Sequence, residues 1–459
     1  MKKITPMTRI FIETVGCPKN REDSERMAGL LVASGHAISK DPEEADIIIV
    51  NTCGFIEPAK KESINTIFEM SELTGDDKKL IITGCLTQRY AEELFADLPE
   101  ADAVLGVNDY DNLPKIVEEL ISDGDDTVDA KKRILSSDGE PGILINDRYF
   151  LDSCTTSYLK IAEGCDNYCT YCVIPKIRGP YRSVPKETLI EEANKLAAGG
   201  CKELILIAQD VTAYGKDIYE NLALAELLRA LCKIDGLEWI RLLYCYEERI
   251  TDELIEVMAS EEKICNYIDI PIQHASADIL KRMNRASTPD SIRNTIKKLR
   301  SAMPDIVIRT SIITGFPGET EEDFDTLIDF VDESKIDRLG VFAFSEEEGT
   351  PAANMPDQID EETAESRRED LMRFQLDISL ENNEKQIGRV LDVIADERAE
   401  DDSITEERKT YLGRTRGDAP EIDNAVLFTS NLPEEEIIGK IVRVKIVDAM
   451  DYDLIGEQI

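Results

Sequence analysis

Over roughly the first 125 residues, short apolar runs alternate with helical patterns. RIFIETVG (Arg9 to Gly16) reads as a strand and Asn20 to Ser34 as a helix stopped by Gly35. DIIIVNT (Asp46 to Thr52) is a second strand with a helix from Pro58, and KLIITG (Lys79 to Gly84) a third with a helix near Gln88. Strands alternating with helices predict a parallel, doubly wound sheet. One more helix lies in GVNDYDNLPKIVEELISDG, and the stretch from Asp123 to Asp147, with Gly, Ser, Asp and Pro interspersed, reads as a linker. A second alternating block follows, with strand candidates YLKIAEG, ELILIAQ, EWIRLLY, YIDIPIQ, IVIRTSIITG and RLGVFAF near Tyr158, Glu203, Glu238, Tyr267, Ile306 and Arg338. Helical patterns such as Pro185 to Ala198 and Thr320 to Glu333 fill the gaps. Six units are too few for a closed eight-strand barrel and predict a partial one. From about Asn382 the pattern becomes short alternating strands: GRVLDVIAD, TYLGRT, AVLFTS, KIVRVKIVDAM and DYDLIGE. Five of these in fewer than 80 residues predict a small barrel. The expected fold class is α/β: an N-terminal doubly wound parallel sheet domain (8–125), a central partial (β/α)6 barrel (147–380) and a C-terminal small antiparallel, OB-like β-barrel (381–453).

Cysteines fall at telling places on this scaffold. IAEGCDNYCTYCVIPKIRGPYR (Ile161 to Arg182) follows the first barrel strand and carries Cys165, Cys169 and Cys172 at C-x3-C-x2-C spacing. A loop that tight can wrap three thiolates around three corners of an iron-sulfur cube, leaving the fourth iron open to a reactant. Zinc and buried structural cysteine are the other readings. No second C-x2-C or H-x3-H pair offers zinc a closed four-ligand site, and Cys154 lies on the far side of the predicted strand. In the N-terminal domain each of the three predicted strands ends on a cysteine: Cys17 in GCPKN, Cys53 in NTCGF and Cys85 in GCLTQRY. Loops at the carboxyl edge of such a sheet converge on one crevice, so these thiols meet in space. One strand-end cysteine is ordinarily a packing residue; three at equivalent positions predict a second cluster site.

Other strand-end groups are expected to face the barrel cavity. They are Gln209 and Asp210 after the second strand, Gln273 and His274 after the fourth, Arg309 on the fifth ahead of GFPGE (Gly315 to Glu319), and Phe342 on the sixth ahead of Ser345 to Gly349. Each could contact cofactor or substrate, and for each a satisfied structural role is the alternative. GFPGE lacks the GxGxxG spacing of a phosphate cradle.

Composition narrows the function. Eleven cysteines in 459 residues are too sparse for a disulfide scaffold, and their clustering in short loops suits a reducing compartment. Cys201, Cys232, Cys245 and Cys265 lack ligand-like spacing and read as buried small hydrophobes. With no run of 18 apolar residues and no signal-peptide pattern after Met1, the expectation is a soluble, cytoplasmic protein without membrane contact. Lys plus Arg at 53 against Asp plus Glu at 94 gives a formal charge of -41, which repels phosphate backbones. The small barrel keeps that sign: from Glu384 onward 19 acidic residues face 10 basic ones, a net of -9, and aromatics for base stacking are few. A basic protein is thus the expected partner, with no direct nucleic-acid contact; solubility alone is the plainer account of the charge.

The loop C-x3-C-x-aromatic-C, with Tyr171 as the aromatic, resembles the cluster loop of radical S-adenosylmethionine (SAM) enzymes. In that superfamily the open iron binds the amino and carboxylate groups of SAM, and the aromatic lies near its adenine. The resemblance implies Tyr171, Gln209, Arg309, Gly315 and Phe342 as cofactor contacts, with GFPGE bringing backbone close to the adenine. Taken whole, the chain resembles the methylthiotransferase family, whose small C-terminal barrel is called TRAM. GCPKN, NTCGFIEPAKKESI, AQDVTAYG and GRTRGDAPEID (Gly413 to Asp423) are similar to its RimO branch, which modifies a small-subunit ribosomal protein, rather than to the RNA-modifying branch, which usually reads GCQMN. That resemblance implies two 4Fe-4S clusters, on Cys165, Cys169 and Cys172 and on Cys17, Cys53 and Cys85, together with two molecules of SAM and an external electron donor. One SAM yields a radical that removes hydrogen from an aspartate β-carbon; the auxiliary cluster delivers sulfur, methylated from the second. A tRNA adenosine methylthiotransferase would keep the same ligands, and an iron-sulfur electron carrier is the alternative of another class. Val184 and Glu247 stand where the family often has a basic residue and a proline, so substrate contacts do not carry over at those positions.

Overall fold

The structure is a computed structural model that describes residues 7–75, 78–122, 134–136, 145–151, 155–399 and 409–459. Cys154 and most of the predicted linker lie outside the described residues. The chain divides into two compact units. The first comprises Met1–Asp152, Ala162–Val184 and Glu347–Thr350; the second comprises Ser153–Ile161, Pro185–Glu346 and Pro351–Ile459. The loop bearing Cys165, Cys169 and Cys172 therefore packs with the N-terminal domain.

In the first unit a six-stranded parallel sheet is built from β1 (Arg9–Thr14), β2 (Ala37–Ile38), β3 (Ile47–Thr52), β4 (Lys79–Gly84), β5 (Ala103–Gly106) and β6 (Ile134–Leu135), in the order β2-β1-β3-β4-β5-β6. The sequence pattern anticipates β1, β3 and β4; β5 is a four-residue strand that runs directly into a 3-10 helix, Val107–Asn112. Every residue of β3 is buried, as a strand covered on both faces requires. On one face α1 (Pro18–Ala33) and α4 (Leu113–Ser122) pack Met27, Leu31, Ile116 and Val117 on Ile10, Ile12 and Ile49. On the other, α2 (Glu57–Glu72) and α3 (Cys85–Asp97) pack Ile67 and Ala91 on Ile48, Val50 and Ile82. The cluster-loop segment adds a two-stranded piece, β8 (Ala162–Glu163) with β9 (Arg182–Ser183), and a short helix, α5 (Ile174–Arg178). Val173 and Ile177 bury themselves in the core beneath α1 and α4.

The second unit holds the partial barrel. β7 (Thr156–Lys160), β10 (Glu203–Ile207) and β11 (Trp239–Leu242) form one parallel triplet, and β12 (Tyr267–Asp269), β13 (Val307–Thr314) and β14 (Arg338–Ala343) another. A parallel bridge between Ile240 and Ile264 continues the order from one to the other. The crossovers are α6 (Lys186–Ala198), α7 (Leu224–Leu231), α8 (Asp252–Ser260), α9 (Ala277–Arg282) with α10 (Pro289–Ala302), and α11 (Glu321–Ser334). α12 (Glu361–Glu384) then leads to a closed barrel of β15 (Val390–Arg398), β16 (Lys409–Thr415), β17 (Val426–Ser430), β18 (Ile441–Ala449) and β19 (Leu454–Gln458). This barrel departs from the all-antiparallel expectation in one pair: β17 and β19 run parallel, because β18 pairs with β15 and leaves β19 to close the ring. Val393, Tyr411, Phe428, Val444 and Ile446 fill its interior.

Candidate functional site

With strand order 2-1-3-4-5, the switch point of the first unit's sheet lies between β1 and β3, where the crevice for a ligand opens beyond the carboxyl ends. Cys17 stands there as the N-cap of α1, Cys53 one residue past β3, and Cys85 as the first residue of α3. Two of the three thiols thus sit at helix N-termini. Glycine lets the loops close. Gly16 has φ +99, and a Cβ on it would lie 2.6 Å from Cys53 Cβ; Gly84 has φ +109, and a Cβ there would lie 2.3 Å from the Thr52 carbonyl. Asn20 ties the loops together, donating from Nδ2 to the carbonyls of Val15 (2.8 Å) and Thr52 (3.0 Å). Ser63 Oγ accepts from the Cys53 N–H at 2.9 Å and donates to its carbonyl at 3.0 Å. Arg89 donates to the Gly54 carbonyl at 2.7 Å and pairs with buried Glu347 at 2.9 Å, which Lys60 also reaches at 3.1 Å.

Burial, then Cys85 and Cys17, push the Cys53 thiol up to about 12. Burial also raises Cys85, opposed by Arg178. Buried thiols that oppose one another's ionisation need a cationic partner to exist as thiolates, which is the condition a metal ligand set meets. Among the described residues no three His, Cys, Asp or Glu side chains close around one metal-ion position, and every described cysteine is free. Three thiols carried on adjacent loops are a donor set that fits three corners of an iron-sulfur cluster.

The second cysteine set lies in the same unit. Cys165 and Cys169 are buried, and Cys172 is half-buried as a residue. The loop is braced by the Cys165 N–H on the Gly179 carbonyl (3.1 Å), the Cys172 N–H on the Cys169 carbonyl (3.0 Å) and the Tyr181 N–H on Asp166 Oδ1 (3.1 Å). Tyr168, φ +49, makes the left-handed step between the first two cysteines. Burial is the largest push raising the Cys172 thiol, with Cys169 and then Cys165 adding to it. Tyr171 is half-buried between the second and third cysteines. Six residues past Cys172, Arg178 is buried among Asp23, Glu163, Asn20 and Cys85, a grouping that sequence reasoning missed.

The remaining expected contacts belong to the second unit, and the structure separates their roles. Gln209 is half-buried just past β10, beside Asp210, whose carboxylate takes Arg249 at 2.7 Å. The Gly315 N–H donates to Glu319 Oε2 at 2.9 Å, and a Cβ on Gly315 would lie 2.2 Å from Ala364 Cβ, so this glycine admits α12. His274 is fully buried, accepts the Ser276 N–H on Nδ1 at 2.9 Å and places Nε2 3.4 Å from Glu319 Oε2, outside hydrogen-bond geometry. Phe342 is exposed and shares a sheet face with Gly340 and Arg309.

The Arg309 guanidinium is ion-paired in this structure: it binds Asp269 at 2.9 Å and Asp423 at 3.3 Å, close to the amino-terminal end of β13. Asp423 closes GRTRGDAPEID, and that whole segment acts as a bolt between the small barrel and the bottom of the partial one. Arg414 pairs with Glu203 (2.9 Å) and Asp396 (2.8 Å), Arg241 with Glu203 (2.7 Å), and Asp418 with Arg338 (2.8 Å). The Tyr267 hydroxyl donates to Asp423 at 2.6 Å. Glu247, the departure noted in the sequence, is buried and accepts from Thr295 Oγ1 at 2.7 Å.

Models of known families match in three segments: Uncharacterized protein family UPF0004 over residues 9–106, the Radical SAM superfamily over 159–331 and the TRAM domain over 387–459. Among solved structures, the radical S-adenosylmethionine methyltransferase TsrM from Kitasatospora setae, with cobalamin and a 4Fe-4S cluster bound, shares the fold at TM-score 0.56 and 15% identity, over 84% of this chain and 80% of that one. The cobalamin-dependent radical enzyme OxsB does so at TM-score 0.54 and 12% identity, over 82% and 56%. The fold and the cysteine loop define a radical SAM enzyme, a class that implies a 4Fe-4S cluster and SAM. At full length the chain is 50% identical to the ribosomal protein uS12 methylthiotransferase RimO of Acetivibrio thermocellus, covering 98% of both chains. It is 50% identical to that of Clostridioides difficile (98% and 99%) and 47% to that of Geobacter sulfurreducens (98% of both). The chain belongs to the RimO family of methylthiotransferases. Among the described residues no helix is long and apolar enough to cross a membrane.

Proposed function

We propose that this chain methylthiolates the β-carbon of an aspartate in the small-subunit ribosomal protein uS12. Family membership supports the reaction, and the convergence of Cys17, Cys53 and Cys85 at the carboxyl edge of one sheet is the observation that carries the sulfur-inserting half of it. Cys165, Cys169 and Cys172 hold a 4Fe-4S cluster whose open iron takes SAM; Cys17, Cys53 and Cys85 hold a second 4Fe-4S cluster. When bound, the first cluster with SAM supplies the radical chemistry that an unactivated C–H bond demands, and the second supplies the sulfur.

The residues of the chain hold and orient these groups. Gly16, Gly84, Asn20 and Ser63 set the three thiols, and Tyr171, Gln209, Gly315 and Phe342 are the side chains and backbone offered to SAM. Residues 8–125 carry the auxiliary site and 147–380 the radical core, and the TRAM barrel, expected over 381–453, extends through β19 to Gln458. The recipient is a basic protein in the cytoplasm, electrons come from an external donor, and nucleic acid is not contacted directly; the charge of -41 supports a basic partner. Mass analysis of uS12 and of tRNA from a deletion strain tests the assignment. The expected result is uS12 lacking one SCH2 unit with tRNA unchanged; normal uS12 with undermodified tRNA would sink it.

A further inference from the structure

Arg178 lies on the helix that follows the radical loop, yet its head group reaches the other cysteine set. It is 3% exposed. One face of its guanidinium is fixed by carboxylates: Nη1 donates to Asp23 Oδ2 at 2.6 Å and stands 3.4 Å from Glu163 Oε2. The other nitrogen, Nη2, donates to Asn20 Oδ1 at 2.9 Å and to Cys85 Sγ at 3.1 Å. Asp23 and Glu163 are themselves buried, 1% and 6% exposed at the side chain. A buried cation without such partners would be strongly destabilising, and here they also aim the rigid fork so that Nη2 faces sulfur. We propose that Arg178 is a positioning residue of the auxiliary site, donating a charge-assisted hydrogen bond to the Cys85 thiolate that raises the reduction potential of the cluster held there. The inference rests on the reading that Cys17, Cys53 and Cys85 hold that cluster. A donor and a positive charge at a ligand sulfur stabilise the more negative, reduced cluster, which is why hydrogen bonds to sulfur tune such potentials.

The test uses the full chain with Cys165, Cys169 and Cys172 each replaced by Ala, so that bound iron reports the auxiliary site alone. After anaerobic reconstitution, iron is counted and the cluster titrated with dithionite under EPR, for the parent, Arg178→Met and Arg178→Lys. The expected result for Arg178→Met is unchanged iron with a tenfold lower reduced-to-oxidised ratio at fixed potential, a downshift of about 59 mV for a one-electron couple, and an intermediate shift for Arg178→Lys. An unshifted potential in Arg178→Met, or equal shifts in both variants, overturns the proposal. If Arg178→Met binds no iron, retention of the cluster by Arg178→Lys supports it, and equal loss in both overturns it. A parent that binds no iron overturns the auxiliary-cluster reading first and this inference with it, so the two failures are distinguishable.

Discussion

Glu203, at the first position of β10, is fully buried between two arginines. Against the upward push of burial, Arg414 and Arg241 hold its carboxyl below the ordinary value of 4.5. Its contribution to stability is therefore complete above that value and is lost as pH falls through the lower folded one. Glu203→Gln strands two buried cations, and unfolding in denaturant at neutral pH should show a loss of roughly 3–5 kcal/mol with less sensitivity to acid. At Gly16 the expected damage is local. Gly16→Ala puts a Cβ against Cys53 in a backbone conformation that L residues avoid, so iron content after reconstitution should fall by half while SAM cleavage persists. The six cysteines were legible in the sequence because their signals are local: close spacing in one loop and repetition at strand ends. Arg178 and Arg309 were not, because their partners Asp23 and Asp423 lie more than a hundred residues away and only the folded chain brings them together.

Among the elements, the segment from Gly413 to Asp423 changes meaning most. As sequence it marks a branch of a family; in the fold it closes the amino-terminal end of the partial barrel with Arg414, Asp418 and Asp423. Asp418→Ala should release Arg338 and loosen this bolt. Limited proteolysis would then cut the segment faster than in the parent, with iron content unchanged. The strand pattern predicts all six barrel strands and all five of the small barrel, because alternation and apolar runs are properties of each strand alone. It leaves the parallel β17–β19 pairing open, since the order in which strands close a ring is decided by their neighbours. The four residues of β5 escaped because they merge with the helical pattern that follows them.

At the level of the whole molecule, the acidic excess bears on the encounter with a basic recipient. Rim charges act mainly on association and are screened over about 8–10 Å at ordinary ionic strength, so the KM for uS12 should rise several-fold with added salt. The rate of SAM cleavage without uS12 should change little, since it involves no encounter with a charged macromolecule for salt to screen. The proposed function assigns sulfur insertion to Cys17, Cys53 and Cys85 and radical generation to Cys165, Cys169 and Cys172. The most direct measurement is anaerobic turnover of the chain with Cys17, Cys53 and Cys85 each replaced by Ala, given reductant, SAM and uS12. The prediction is deoxyadenosine without any gain of an SCH2 unit on uS12; a methylthiolated uS12 from that variant would contradict the account.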